Sequence, residues 1–480
     1  MEHYATAPAD RIPVHQKVVY GLGAFVNNLL AAASGGMMIV LNLGLGMNPA
    51  LVGLLGALPR LTDAFTDPIM GYVSDNTRTR WGRRRPYIFV GAIAAGLTFA
   101  LLWHLPDGRG ESFYFWYFLI GSIIFYLAYT VFATPWVALG YELTPDYHER
   151  TRLMGVQNFM GQLAYVVAPW FLLFMQNKTI FDNMVDGAAG LAVIVGVVVA
   201  VVGIMPALFL RERFSAVAAN EARERRLAEA GSVVLRNLAG FFRGFLVTIR
   251  SKPFLKLCVA TFLVFNGFMM VSSFQFYVII YYVFGGDTVR GAEFAGWAGT
   301  VQSIATFGVI ALVAWLGTRI GKKRTFYVAV GVSMLGYALK WVCYNPANPW
   351  LVVLPAPLLA FGLGGLFTIM PSMIADVVDL DELQTHERRE GMYGSIFWWV
   401  VKLGMAAALA AGGFLLNATG FDVALEGHQS AQTITLMRLC DAFLPFLASG
   451  VAIWAIATFS ITEERAHEVR LALEARRGKV

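Results

Sequence analysis

Charge is what this sequence has least of. Only 14% of its 480 residues are Asp, Glu, Lys or Arg, while 57% are hydrophobic. A soluble domain carries about 25% charged residues, so the composition points to a polytopic membrane protein. Cysteine is scarce as well. Cys258, Cys343 and Cys440 all fall in or beside apolar stretches, and such an odd, buried set gives neither a disulfide framework nor a metal spacing. The seven histidines are scattered. No His/Asp/Glu cluster has metal spacing, and no nucleophile motif or nucleotide-binding loop is present. Neither an enzyme nor a cofactor is therefore expected. Nothing resembles the symmetric filter of a channel. The net charge of +6 does not call for nucleic acid, because membrane proteins collect basic residues in cytoplasmic loops. No cleavable signal is expected either: residues 1–17 are polar, and the first apolar run is too long for a signal core.

What the chain does have is long apolar runs. A bilayer core about 30 Å thick needs about 20 apolar residues per helix. Twelve spans are expected: 18–42, 51–73, 87–105, 113–141, 153–176 and 188–210, then 254–282, 293–316, 325–344, 350–375, 391–416 and 432–460. With both termini placed inside, 29 of the 37 Lys and Arg fall in cytoplasmic segments and three, Arg109, Lys178 and Arg290, fall outside. That asymmetry sets the expected orientation. The polar segment 211–252 divides the chain into an N-terminal six-helix bundle (1–210) and a C-terminal bundle with its tail (253–480). "NEARERRLAEAG" and "LRNLAGFFRGFLVTIRSK" read as amphipathic linker helices, the second lying on the inner leaflet. "GYVSDNTRTRWGRRRPY" after span two and "LGTRIGKKRTFY" after span eight echo each other. Paired six-helix halves are the plan of the major facilitator fold, in which substrate binds near the midplane between the halves.

A few charges stand where they are costly. Asp63 and Asp67 lie four apart in span two, on one face of a helix. Two close carboxylates in a low dielectric repel unless a cation or a proton intervenes, and hard oxygens suit a small cation such as Na⁺. Thr66 stands beside them. Lys402 sits in the middle of span eleven, where a lone lysine wants an anion or a carboxylate. Arg438 and Asp441, three apart, read as a local pair near the outer interface, and Lys340 as interfacial. Glu142, Asp376 and Asp379, at the inner ends of spans four and ten, read as gate or loop partners for Arg78, Arg80, Arg83 and Arg84. Asn27, Asn28, Trp136, Asn158, Gln162 and Trp398 complete an expected substrate cavity. Pro135 is expected to break span four.

At these residues the sequence resembles the glycoside–pentoside–hexuronide:cation symporters, the melibiose-permease branch of the major facilitator superfamily. The resemblance rests on "DAFTDPIMGYVSDNTRTRWGRRRPY", "KVVYGLGAFVNN", "YTVFATPW" and "ADVVDLDELQTHERREGMYGSIFWWVVKLG", and covers nearly the whole chain. It implies alternating access driven by Na⁺, Li⁺ or H⁺, in a multi-pass protein of the bacterial inner membrane that works as a monomer. It maps the cation site onto Asp63, Asp67 and Thr130, with Thr66 at a position held by asparagine in the melibiose permease. It also carries the span-eleven lysine onto Lys402. The departures matter. Where that permease grips its sugar with two carboxylates and an arginine, this chain has Asn28, Ala133 and Asn158, and Asn27 replaces a lysine. The galactoside grip is thus absent, and Lys402 is left to favour an acidic sugar or glycoside. The animal lysolipid carriers are similar to the family, which leaves a lysolipid or another amphipathic organic anion as the alternative.

Overall fold

The computed structural model describes residues 11–77, 79–106, 108–143, 147–212, 250–385 and 390–477; the side chains of Asp63 and Glu142 are outside that description, as is the expected linker helix within 213–249. The described chain is helical throughout, with one isolated bridge between Thr79 and Gly82. It divides into two compact units, Met1–Ala228 and Glu229–Val480.

The first unit contains α1 (Val14–Gly36), α2 (Pro49–Asn76), α3 (Arg85–Leu102), α4 (Glu111–Glu142), α5 (Tyr147–Val167) and α6 (Met184–Gly203). The second contains α7 (Lys252–Tyr277), α8 (Thr288–Ile320), α9 (Lys322–Cys343), α10 (Ala356–Thr385), α11 (Glu390–Ala418), α12 (Ala431–Ala457) and a terminal helix α13 (Glu463–Arg477). Helix starts follow local chemistry. Asn48, Asn183, Asp287 and Ser430 each turn a side-chain oxygen onto backbone N–H groups of the first turn, satisfying donors that the helix itself cannot.

Eleven helices among the described residues are long and apolar enough to cross a membrane. The twelfth expected span is α2. Among the described residues its apolar stretch is Pro49–Thr62; the helix carries Arg60, Asp63, Asp67 and Asp75 and runs on to Asn76 for 28 residues. A continuous helix there is what a bilayer demands, since only intrahelical bonds satisfy its backbone. Pro135 does not break span four: α4 runs 32 residues with the proline inside it. Removing one N–H costs a ladder bond, which neighbours in a helical membrane bundle can compensate.

Packing follows membrane rules as well. On α3, Gly91, Ala92, Ala95 and Gly96 face inward, while Val90, Leu97 and Leu101 are each 58% exposed. With Ile88, Phe99 and Leu102 the buried face carries these four small residues, which let helices approach closely, and the large exposed residues suit a lipid surround. At the α3–α6 crossing a Cβ added to Gly96 would lie 2.3 Å from the Gly196 carbonyl oxygen. Any larger residue there would force these helices apart. The two units repeat one packing scheme: α1 packs on α5 and α6, α2 on α4, and α3 on α4 and α6, while α7 packs on α11 and α12, α8 on α10, and α9 on α10 and α12.

A buried acid ties the start of the chain to α5. Glu149 accepts from Lys17 Nζ at 2.6 Å, from the Ile12 N–H at 2.9 Å and from Arg152 Nη1 at 3.1 Å. Burial by itself raises its pKa, but these donors outweigh burial and hold the carboxyl below its ordinary value of 4.5. A depressed pKa contributes stability that is present above the unfolded-state value and lost as pH falls through the folded one. Acid unfolding of the wild type should therefore steepen below pH 4.5, and Glu149→Gln should flatten that limb in a thermal-midpoint series. An unchanged limb would remove Glu149 from the account.

Candidate cation and substrate site

In the first unit α2 packs against α4. Asp67, half-buried on α2, accepts from Thr130 Oγ1 at 3.1 Å and from Thr134 Oγ1 at 3.4 Å. Thr130 and Thr134 are four apart, so one face of α4 presents two hydroxyls to one carboxylate. Thr66 Oγ1 is buried with no hydrogen-bond partner among the described residues. A buried hydroxyl without a partner is costly, and its lone pairs remain available to a cation. The donor set is hard oxygen throughout, which suits H⁺, Na⁺ or Li⁺ and not a soft metal. Thr134 is an addition to the residues legible in sequence; its spacing from Thr130 is the signal that would have found it.

Beside this cluster lies an amide network. Tyr129 Oη donates to Asn27 Oδ1 at 2.7 Å, and Asn27 Nδ2 donates to Asn28 Oδ1 at 3.2 Å. Asn28 packs over Gly161 of α5, where an added Cβ would come within 2.6 Å of its Nδ2. The structure thus brings α1, α4 and α5 together at Asn27 and Asn28. Asn158 and Gln162 follow on α5 with Tyr165 at helical spacing, sharing one face; Asn158 is exposed and Gln162 half-buried.

Trp136 departs from expectation. It is 2% exposed, its Nε1 donates to the Tyr20 carbonyl at 3.2 Å, and its ring stacks on Tyr20 at 5.2 Å. A Cβ on Gly23 would strike the indole. The indole is a packing element joining α4 to α1, with no free edge for a ligand. In the second unit, Trp398 is 56% exposed and stacks on Phe367 at 5.9 Å. Lys402 is half-buried on α11 and engaged by a neighbouring group.

The expected gate residues are described within each unit. Asp376 pairs with Lys322 at the start of α9, at 2.7 Å. Asp379 is engaged by another group. Arg78 and the Glu142 side chain lie outside the described residues, and Arg80 is exposed. Glu212 accepts from the backbone N–H groups of Arg83, Arg84 and Arg85 at 2.8, 2.8 and 3.0 Å. This carboxylate, in the segment that follows α6, caps the start of α3, a favourable place for negative charge. Gly82, with φ +110°, leaves room for it; a Cβ there would sit 2.6 Å from the Glu212 carboxyl. The Arg84 side chain donates to the Ala138 carbonyl at 2.5 Å.

Two further expectations are corrected. Asp441 pairs with Lys340 of α9 at 2.5 Å, not with Arg438, and Lys340 is 1% exposed, not interfacial. Arg438 lies between the rings of Tyr282 and Trp341, at 4.0 and 4.2 Å, and donates to the Trp341 carbonyl. In the Lys340–Asp441 contact each buried charge compensates the other.

The family described as MFS/sugar transport protein matches residues 19–463. Among relatives, a glucuronide carrier protein homolog of Escherichia coli (strain K12) is 26% identical, covering 96% of this chain and 95% of its own. The isoprimeverose transporter of Lactiplantibacillus pentosus is 24% identical, covering 95% and 92%. Sodium-dependent lysophosphatidylcholine symporter 1 of Gallus gallus is 24% identical, covering 97% and 90%. The fold is similar to that of a bacterial homolog to the human lysosomal transporter Spinster, with a TM-score of 0.63 at 15% identity over 98% of both chains. The chain is a multi-pass membrane transporter with the major facilitator fold and not an enzyme, and it belongs to the MFS/sugar transport protein family of cation symporters whose motifs it carries.

Proposed function

We propose that the protein carries a sugar or glycoside, an acidic one in particular, across a bacterial inner membrane by alternating access, in symport with Na⁺ or H⁺. Both termini are placed in the cytoplasm. The cation binds at Asp63, Asp67, Thr66 and Thr130, with Thr134 as a further oxygen. Asn27, Asn28, Asn158, Gln162, Trp398 and Lys402 are assigned to the substrate, and Arg83 and Arg84 to the gate through their loop. The observation that supports this reading is the cluster of hydroxyls around Asp67. It is an all-oxygen site in a membrane helix, next to a neutral amide network of the kind that hydrogen-bonds a polyol. Cation and substrate then act on a shared element, since Tyr129, bonded to Asn27, directly precedes Thr130, bonded to Asp67.

Binding of either solute tightens binding of the other by the same factor, as linkage requires. The lysolipid reading keeps the cation site and changes the cargo; the similarity to a lysophosphatidylcholine symporter favours it. A thermal-shift screen of the purified protein separates the two, because a ligand that binds the folded state alone raises its stability by mass action. Glycosides, and glycosiduronic acids most of all, should raise the midpoint, more so with Na⁺ present or at lower pH. A rise with lysophosphatidylcholine and none with any sugar would replace this reading by the second.

A further inference from the structure

Basic side chains within the spans have identifiable partners, with one exception among the described residues. Lys340 holds Asp441. Lys256 donates to the Thr458 carbonyl. Arg438 donates to the Trp341 carbonyl. Lys402 is engaged. Arg60 of α2 is different. Its Nε is buried with no hydrogen-bond partner, and its guanidinium rests on the ring of Tyr126 of α4, 5.3 Å from the centroid. It lies close enough to Tyr165 of α5 to act on that phenol electrostatically. Tyr165 falls on the α5 face of Asn158 and Gln162. Arg60 stands about 16 Å along α2 from its start at Pro49, given a rise of about 1.5 Å per residue. That is about half the thickness of a hydrocarbon core.

Among the described residues no acid pairs with it; Asp63, three residues along the same helix, has its side chain outside that description. A cation at that depth is expensive and calls for a counter-charge. A ring face offsets only part of the cost. On the same helix Asp67 lies two turns further on, and its Oδ1 already accepts two threonine hydroxyls. The amides Asn27 and Asn28 of α1 bring no charge. We propose that Arg60 receives the carboxylate of an acidic glycoside substrate, and so selects uronides over neutral sugars. A guanidinium presents a flat fork of donors that matches a carboxylate in two hydrogen bonds. The Tyr126 ring lies against the guanidinium, and the α5 face can hold the sugar hydroxyls beside it. The inference rests on the glycoside reading above. It shifts the main anion contact from Lys402 to Arg60.

The test uses the intact purified protein with two probes that differ at one carbon, 4-nitrophenyl β-glucuronide and 4-nitrophenyl β-glucoside. Affinities for both, and for Na⁺, are measured by calorimetry in wild type, Arg60→Gln and Arg60→Lys. The wild type should prefer the glucuronide by tenfold or more. Arg60→Gln should bring that ratio close to one, with Na⁺ affinity within about twofold of wild type, since the lost contact is a charge-assisted one; Arg60→Lys should retain part of it. Equal binding of both sugars by the wild type, or a ratio unchanged in Arg60→Gln, overturns the inference and leaves the glycoside reading standing. A parallel loss of both sugars and of Na⁺ in Arg60→Gln assigns Arg60 to the cation site instead. Binding of neither sugar by the wild type contradicts the glycoside reading and this inference together.

Discussion

Replacing Asp67 by asparagine should lower cation affinity roughly a hundredfold and abolish uphill substrate accumulation, while facilitated movement down a gradient persists. Asp67 is the described carboxylate of the candidate site, and Thr130 and Thr134 already orient its Oδ1. Asparagine keeps the size and one oxygen but removes the charge. A cation loses an ionic partner in a poorly solvated place, which is worth about 3 kcal/mol, and each 1.4 kcal/mol is tenfold. Thr134→Ala should do far less, since its hydroxyl is 3.4 Å from Oδ1 and acts beside Thr130. The order of effects is therefore Asp67→Asn, then Thr130→Ala, then Thr134→Ala, read as the Na⁺ or H⁺ dependence of uptake. Asp67→Asn with an unchanged cation dependence would remove the coupling site from α2.

The second large effect is on stability. Lys340 and Asp441 join α9 to α12 with both side chains at most 2% exposed, and the Tyr344 ring lies 5.1 Å from the ammonium. Breaking such a pair leaves one uncompensated buried charge, at about 3–5 kcal/mol, whereas replacing both partners with apolar residues of similar volume is often nearly neutral. Lys340→Met and Asp441→Leu should each lower the thermal midpoint sharply, and the double variant should recover most of the loss. The cycle isolates the pair because the two residues touch. A double variant as unstable as the sum of the singles would mean that the pair is not the source of the effect. The pair belongs to the second unit and the cation cluster to the first, so the recovered double variant should retain the cation dependence of uptake.

Much of the architecture was legible because a bilayer leaves few options. A run of about 20 apolar residues must be a helix, so eleven spans stand out by composition. The charges carried by the twelfth, α2, are also what pointed to the candidate site. Asp63, Thr66 and Asp67 could be placed together because a single helix sets their spacing, and Thr130 came from the resemblance. What failed depended on partners far along the chain. Arg438 and Asp441 are three residues apart and look like a pair, but Lys340, 101 residues away, claims the carboxylate. Nothing in the local pattern around "RTRWGRRR" shows that Glu212, some 128 residues on, caps α3 there. Trp136 was misread for a related reason: an aromatic beside proline looks available until packing uses both its ring and its N–H, here on Tyr20.

The central claim is that substrate movement is tied to a cation bound at the α2–α4 oxygen cluster. Reconstitution of the purified protein in sealed vesicles tests it most directly. An imposed inward Na⁺ or H⁺ gradient should drive 4-nitrophenyl β-glucuronide to a higher concentration inside than outside, and a substrate gradient should in turn pull the same cation inward. Uptake that only equilibrates, at a rate indifferent to either cation gradient, would contradict the account.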